Sequence, residues 1–179
     1  NKQYKKALNE FLEAGTFPKN LETNELSTGP TVAKIAYHQG LAYKAIGNKE
    51  MAHEAFRRCI ESAKDDRGWS RRAGYVDESK YFVAMSHKEL GNEKGYAESI
   101  QQMQDYIDEQ KESAGTVVDI YSKFGEDGSN NTIIARNSYL QGLIAIAQGD
   151  KQAAKEYFET SLKLNPSSIW TKYFLGTCK

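Results

Sequence analysis

The sequence predicts an all-α fold, a short α-solenoid of antiparallel helix pairs. Three observations carry that prediction. A gapless pattern of small, aromatic and glycine residues occurs three times. Each occurrence is divided by a glycine that is followed at once by Asn or Asp. Only three prolines interrupt a chain of 179 residues, so long helical stretches are free to form.

The first copy reads Gly40-x2-Tyr43-x3-Gly47-x4-Ala52-x3-Phe56-x2-Cys59. The second reads Ala84-x2-His87-x3-Gly91-x4-Tyr96-x3-Ile100-x2-Met103. The third reads Gly142-x2-Ala145-x3-Gly149-x4-Ala154-x3-Phe158-x2-Ser161 and runs on to Pro166. Gly47, Gly91 and Gly149 supply left-handed C-caps, and Asn48, Asn92 and Asp150 cap the helices that follow. Each copy is therefore a helix–turn–helix hairpin. Gly40, Ala84 and Gly142 lie inside helices, where glycine costs roughly 1 kcal/mol relative to alanine. The expected return is close approach of a neighbouring backbone, with the small–large alternation of Ala52/Phe56 and Ala154/Phe158 locking the paired helices.

The same register places the two ends. Ala7-x3-Phe11-x2-Ala14 copies the second-helix pattern, so residues 1–14 read as a half-repeat. Residues 31–64 form a full repeat, 75–112 a degenerate repeat and 132–166 a further full repeat. Residues 167–179 form a terminal helix. Gly40 and Ala84 are 44 residues apart and Ala84 and Gly142 are 58 apart, so the excess falls in loops near 65–77 and 113–131. Within the insertion 113–131, Val117, Val118, Ile120, Tyr121 and Phe124 predict a short extra helix against the second and third hairpins. The predicted helices are 2–14, 31–46, 50–64, 75–90, 94–112, 132–148, 151–164 and 168–177. Together they make about three hairpins plus a half-repeat at each end, in one domain over 1–179. Tyr96 stands where a small residue is usual, which predicts looser packing of the second hairpin.

The third unit, GLIAIAQGDKQAAKEYFETSLKLNP, closely resembles a tetratricopeptide repeat, including its closing Asn165-Pro166. GLAYKAIGNKEMAHEAFRRCI is similar, and Gly176 follows Gly142 by 34 residues, the period of that family. The resemblance implies a protein-binding scaffold without catalysis of its own. A second resemblance rests on residues 17–21 (FPKNL), 118–121 (VDIY) and 135–139 (ARNSY). It is to the C-terminal region of certain large bacterial proteins in which such hairpins follow β-sandwich, carbohydrate-related domains. It implies the alternative of an accessory module in a carbohydrate-processing or carbohydrate-binding protein. The chain starts without Met and inside a helical pattern, so it reads as a fragment whose native N-terminus lies upstream. The compartment stays open, with the cytoplasm favoured.

Composition narrows the partners. Lys+Arg and Asp+Glu are both 24, for a formal net charge of +0. That balance argues against a nucleic-acid surface and a polybasic membrane anchor. No apolar run approaches a membrane span. Cys59 and Cys178 have no metal spacing, nor do His38, His53 and His87. Asp65-Asp66, Glu126-Asp127, Arg57-Arg58 and Arg71-Arg72 read as solvated charge. The Gly-rich stretch 125–128 lacks a phosphate-binding lysine. Asn130-Asn131-Thr132 matches a glycosylation sequon of low specificity. No catalytic, cofactor-binding or metal-binding residue is expected, and no cofactor.

The candidate binding surface comes from one register position. Three residues before the small residue of each unit stand Tyr37, Tyr81, Tyr139 and Tyr173. In tetratricopeptide arrays the first helix of each hairpin lines the concave groove. Flanking groove positions then hold Lys34, Arg136 and Trp170, with Leu41, Met85, Leu143, Lys44 and Lys88 further along. The tyrosines either anchor a partner or fill the packing between helices. The expected partner is a peptide, a protein or a neighbouring domain of the same chain. Acidic chaperone tails are excluded, because the clamp positions carry Tyr37, Leu41, Phe82 and Leu140 instead of Lys, Asn and Arg.

Overall fold

The computed structural model describes residues 2–14, 30–62, 78–116 and 127–179. Every element among the described residues is an α-helix: α1 (Lys2–Ala14), α2 (Pro30–Ala45), α3 (Lys49–Ser62), α4 (Glu78–Glu89), α5 (Glu93–Thr116), α6 (Asp127–Gln148), α7 (Lys151–Leu164) and α8 (Ile169–Thr177). Most boundaries fall within a few residues of expectation. The exception is the insertion. There α5 runs on to Thr116 and α6 begins at Asp127, both further into the expected loop than predicted. The predicted helix over residues 117–124, like Asp65-Asp66, Arg71-Arg72 and Glu126, lies outside the described residues.

The three turns have one construction. Gly47, Gly91 and Gly149 have φ of 89°, 70° and 87°, a conformation that only glycine adopts without strain. The following residue then serves two helices. Its N–H reaches back to close the first, Asn48 to the Tyr43 carbonyl, Asn92 to that of His87 and Asp150 to that of Ala145, each at 2.9 Å. Its side chain opens the second by accepting from Met51 N–H at 3.2 Å, Gly95 N–H at 3.0 Å or Ala153 N–H at 2.9 Å. One residue thus satisfies an orphan carbonyl of the first helix and an orphan N–H of the second.

The helix-internal glycines are explained by rings rather than by a backbone, which corrects the expectation. A Cβ on Gly40 would lie 2.4 Å from the Phe56 ring, and one on Gly142 would lie 2.4 Å from the Phe158 ring. Each phenylalanine is a knob seated in the hole its partner glycine leaves, and both are buried. In the second hairpin the roles are exchanged, with the glycine on the second helix and the ring on the first. Gly95, next to Tyr96, makes room for the His87 ring, which a Cβ would meet at 2.5 Å.

The chain separates into two compact units, Asn1–Ile100 and Gln101–Lys179, described here one at a time. In the first, α1 packs on α2, α2 pairs with α3, and α4 lies against both α2 and α3. Lys34 meets Glu78 at 2.8 Å and Lys44 meets Glu89 at 2.5 Å, joining both ends of α2 to the matching ends of α4, so these helices run parallel. Buried Gln39 donates to the Phe11 carbonyl of α1 at 2.8 Å and accepts from Arg58 of α3. In the second unit α6 pairs with α7 and α7 packs on α8. Met103 and Ile107 of α5 are buried.

Candidate interaction surface

The repeated tyrosines take two different environments. Tyr37 and Tyr81 are 7% and 4% exposed, so the expected open edges are not present at these two. Tyr37 is wedged between Phe56 of its own hairpin (centroids 5.9 Å) and Phe82 of the next first helix (5.5 Å). Half-buried Tyr139 repeats the wedge between Phe158 (6.1 Å) and Phe174 (6.2 Å). The tyrosine is thus a joint residue, filling the corner where one hairpin meets the next helix. Only Tyr173, at 51% exposure, stands open. Leu143, another expected groove residue, is fully buried, because it belongs to the core of the α6–α7 hairpin.

The basic groove positions are engaged within the protein. Lys34 and Lys44 hold the two ion pairs to α4, and Lys34 Nζ also stands 5.9 Å from the Phe82 centroid. Lys88 Nζ sits 5.2 Å over the Tyr96 ring. Arg136 lies 5.4 Å over Tyr106 of α5. Leu41 and Met85 remain half-exposed on α2 and α4.

Among the described residues of the second unit, three exposed large apolar side chains stand on α8. Ile169 is 77% exposed, Trp170 38% and Tyr173 51%. The Trp170 and Tyr173 rings meet edge to face, 5.8 Å apart at 80°. Ser168 caps this helix, accepting from Thr171 N–H at 3.3 Å, and the buried side chains Thr171 and Phe174 fix its inner face. That geometry turns Ile169, Trp170 and Tyr173 outward.

His38, which has no metal-ligand spacing in the sequence, is a packing residue. Its ring stacks on Phe11 (5.3 Å, 9°) and meets Tyr37 and Phe82 edge-on. Burial, with Lys34 nearby, lowers its pKa to about 4. Burial likewise raises the Cys59 thiol to about 12, against a hydrogen bond from Ser86, so Cys59 is an inert core residue. Among the described residues no group of three His, Cys, Asp or Glu side chains is placed to hold a metal ion. No described helix is long and apolar enough to cross a membrane.

Hairpins with glycine-capped turns, phenylalanine knobs and wedge tyrosines define a helical-repeat protein. The profile of the tetratricopeptide repeat matches residues 33–66 and 135–168. These are the segments that hold the α2–α3 and α6–α7 hairpins, and both are similar to tetratricopeptide repeats. Repeats of this kind generally mediate protein–protein interaction. Comparison with curated proteins and with solved structures found no match.

Proposed function

We propose that the chain is an interaction scaffold, without catalysis of its own, that receives a peptide, a protein or a neighbouring domain on the outer faces of its first helices. The observation that carries this reading is the exposed apolar group Ile169, Trp170 and Tyr173 on α8. Scattered surface apolar residues need no explanation, but adjacent large ones on one helix face mark contact sites, and Trp and Tyr lead among residues that anchor interfaces. Half-exposed Leu41 and Met85 add apolar side chains on α2 and α4 at a different register place. The near-perpendicular Trp170 and Tyr173 rings do not make the shared flat platform on which a sugar ring would stack. This favours a protein partner over the carbohydrate-related alternative.

Site-directed photo-crosslinking in the native cells tests the reading. A benzoylphenylalanine placed at Leu41, Met85, Trp170 or Tyr173 should give discrete protein adducts. The same group at exposed Glu54 or Gln152 on the second helices should not. Equal adducts from both sets, or none from the first, would overturn the proposal.

A further inference from the structure

The three hairpin joints differ at one place. Four residues before the turn glycine stand Tyr43, His87 and Ala145. Of these side chains only the imidazole ordinarily changes charge between pH 5 and 8. Half-buried His87 packs on the second helix of its own hairpin, where a Cβ on Gly95 would lie 2.5 Å from its Nδ1. The same Nδ1 stands 3.0 Å from Asn92 Nδ2. Asn92 is the residue that caps α5, its Oδ1 accepting from Gly95 N–H at 3.0 Å. The Asn92 N–H also donates to the His87 carbonyl at 2.9 Å. Histidine and cap are therefore joined through both backbone and side chain.

The backbone fixes where the protons are. A peptide N–H only donates, so the Asn92 atom facing Gly95 is the carbonyl oxygen and the atom facing His87 is the amino group. That amino group also only donates, so His87 Nδ1 accepts and the ring proton sits on Nε2. A protonated imidazole donates from both nitrogens. Asn92 then lies between two donors, Gly95 N–H and His87 Nδ1–H. As placed, its amino group meets a donor; turned over, its amino group meets Gly95 and no longer caps α5. One of the two bonds is lost either way.

We infer that His87 and Asn92 form a proton-sensitive latch on the α4–α5 joint, closed with the neutral ring and loosened when the ring takes up a proton. The inference goes beyond the scaffold reading and does not depend on what the scaffold binds. The closed latch excludes a proton from Nδ1, so its contribution is complete above the imidazole range and is lost as pH falls through it. The charges around it are few. On α4, Lys88 lies over Tyr96 of α5 and Glu89 is held by Lys44 of α2. On α5, Glu93 acts on Tyr96 and Lys94 is paired with Glu98. From α3, uncharged Cys59 meets Ser86 of α4, and Arg58 is turned to Gln39 of α2. Lys88 disfavours a second cation beside it and Glu93 favours one; the Asn92 bond sets the direction. The first and third joints, with Tyr43 and Ala145 at the equivalent place, keep their caps at the same pH.

The test uses the whole chain and Asn92→Asp, which puts at the second joint the residue that already caps α7 at the third. A carboxylate accepts on both oxygens, so it can hold Gly95 N–H and His87 Nδ1–H together. Nitrogen NMR of the wild type above about pH 7 should show the His87 proton on Nε2. Asn92→Asp should raise the midpoint of the His87 titration by about one pH unit, a tenfold change in proton affinity. Between about pH 7 and 5 the melting temperature of the wild type should fall further than that of the variant; losses through His38 are common to both and cancel. In a His87→Ala background, Asn92→Asp should leave the pH dependence of melting unchanged. A proton on Nδ1 at neutral pH, or a His87 midpoint unmoved by Asn92→Asp, would overturn the latch. So would an effect of Asn92→Asp that persists without the imidazole, because it would then belong to the carboxylate alone.

Discussion

Acidification should loosen the first unit through His38. The ring is held neutral between Phe11 and Phe82, with a pKa of about 4 against an ordinary 6.5. Because the folded-state value is the lower one, the unfolded chain takes up the proton first as pH falls. The stability contributed by the neutral ring is complete above about pH 6.5, is lost as pH falls from there, and is gone by about pH 4. At roughly 1.36 kcal/mol per pKa unit the whole window spans about 3 kcal/mol, of which about 2 kcal/mol is lost between pH 7 and 5. The matched control is His38→Leu, since Leu140 fills the equivalent place in the second unit and is buried. Urea unfolding followed by helical circular dichroism should show the wild type losing about 2 kcal/mol more than the variant between pH 7 and 5, a midpoint difference on the order of 1 M. The variant retains the Lys34–Glu78 ion pair, so losses that do not pass through the imidazole cancel in the comparison. Equal losses in the two proteins, or an NMR titration placing the His38 pKa at 6 or above, would refute the argument.

Glycine substitutions should separate the filled holes from the open one. Gly142→Ala puts a methyl 2.4 Å from the Phe158 ring and should cost a net 1 kcal/mol or so, overpacking exceeding the gain in helix propensity. Gly176→Ala meets nothing and should stabilise by about 0.5–1 kcal/mol; thermal melts of the two variants moving in the same direction would contradict the register. Phe56→Ala removes the knob from Gly40 and should cost roughly 3–5 kcal/mol in chemical unfolding. Ala154→Leu should overpack the α6–α7 hairpin by about 1–3 kcal/mol, and an unchanged midpoint would show that Ala154 is not at the helix contact. A double-mutant cycle on Lys34 and Glu78, both partly exposed, should return about 0.5–1 kcal/mol, falling with salt.

The hairpins were legible because their signals are local. Gly47-Asn48, Gly91-Asn92 and Gly149-Asp150 each encode a complete joint within two residues, and the structure forms all three alike. The lengths of α5 and α6 were not legible. Residues 112–116 and 127–131 are rich in Ser, Gly and Asn, with weak helix propensity, yet both helices run into them, which propensity alone does not predict. Gly40 and Gly142 were recognised as packing glycines but assigned to the wrong neighbour. Spacing shows that something must come close without showing whether it is a backbone or a ring.

The repeated tyrosine shows why the surface was harder to read than the fold. A register position fixes the angle at which a side chain leaves its helix. What that side chain meets depends on whether another helix follows at that angle. At Tyr37 and Tyr139 one does, supplying Phe82 and Phe174, and of the two alternatives, partner anchor or packing, the tyrosine there takes the second. The signal for this was present in the dipeptides Tyr81-Phe82 and Tyr173-Phe174, where each first helix carries the phenylalanine that closes the preceding corner. At Tyr173 no described helix closes the corner, and the ring is left 51% exposed beside Trp170. One aromatic therefore fills packing at Tyr37 and Tyr139 and stands exposed at Tyr173, where no described helix covers it. The identical residue at all four positions required no common function, only a common direction from the helix.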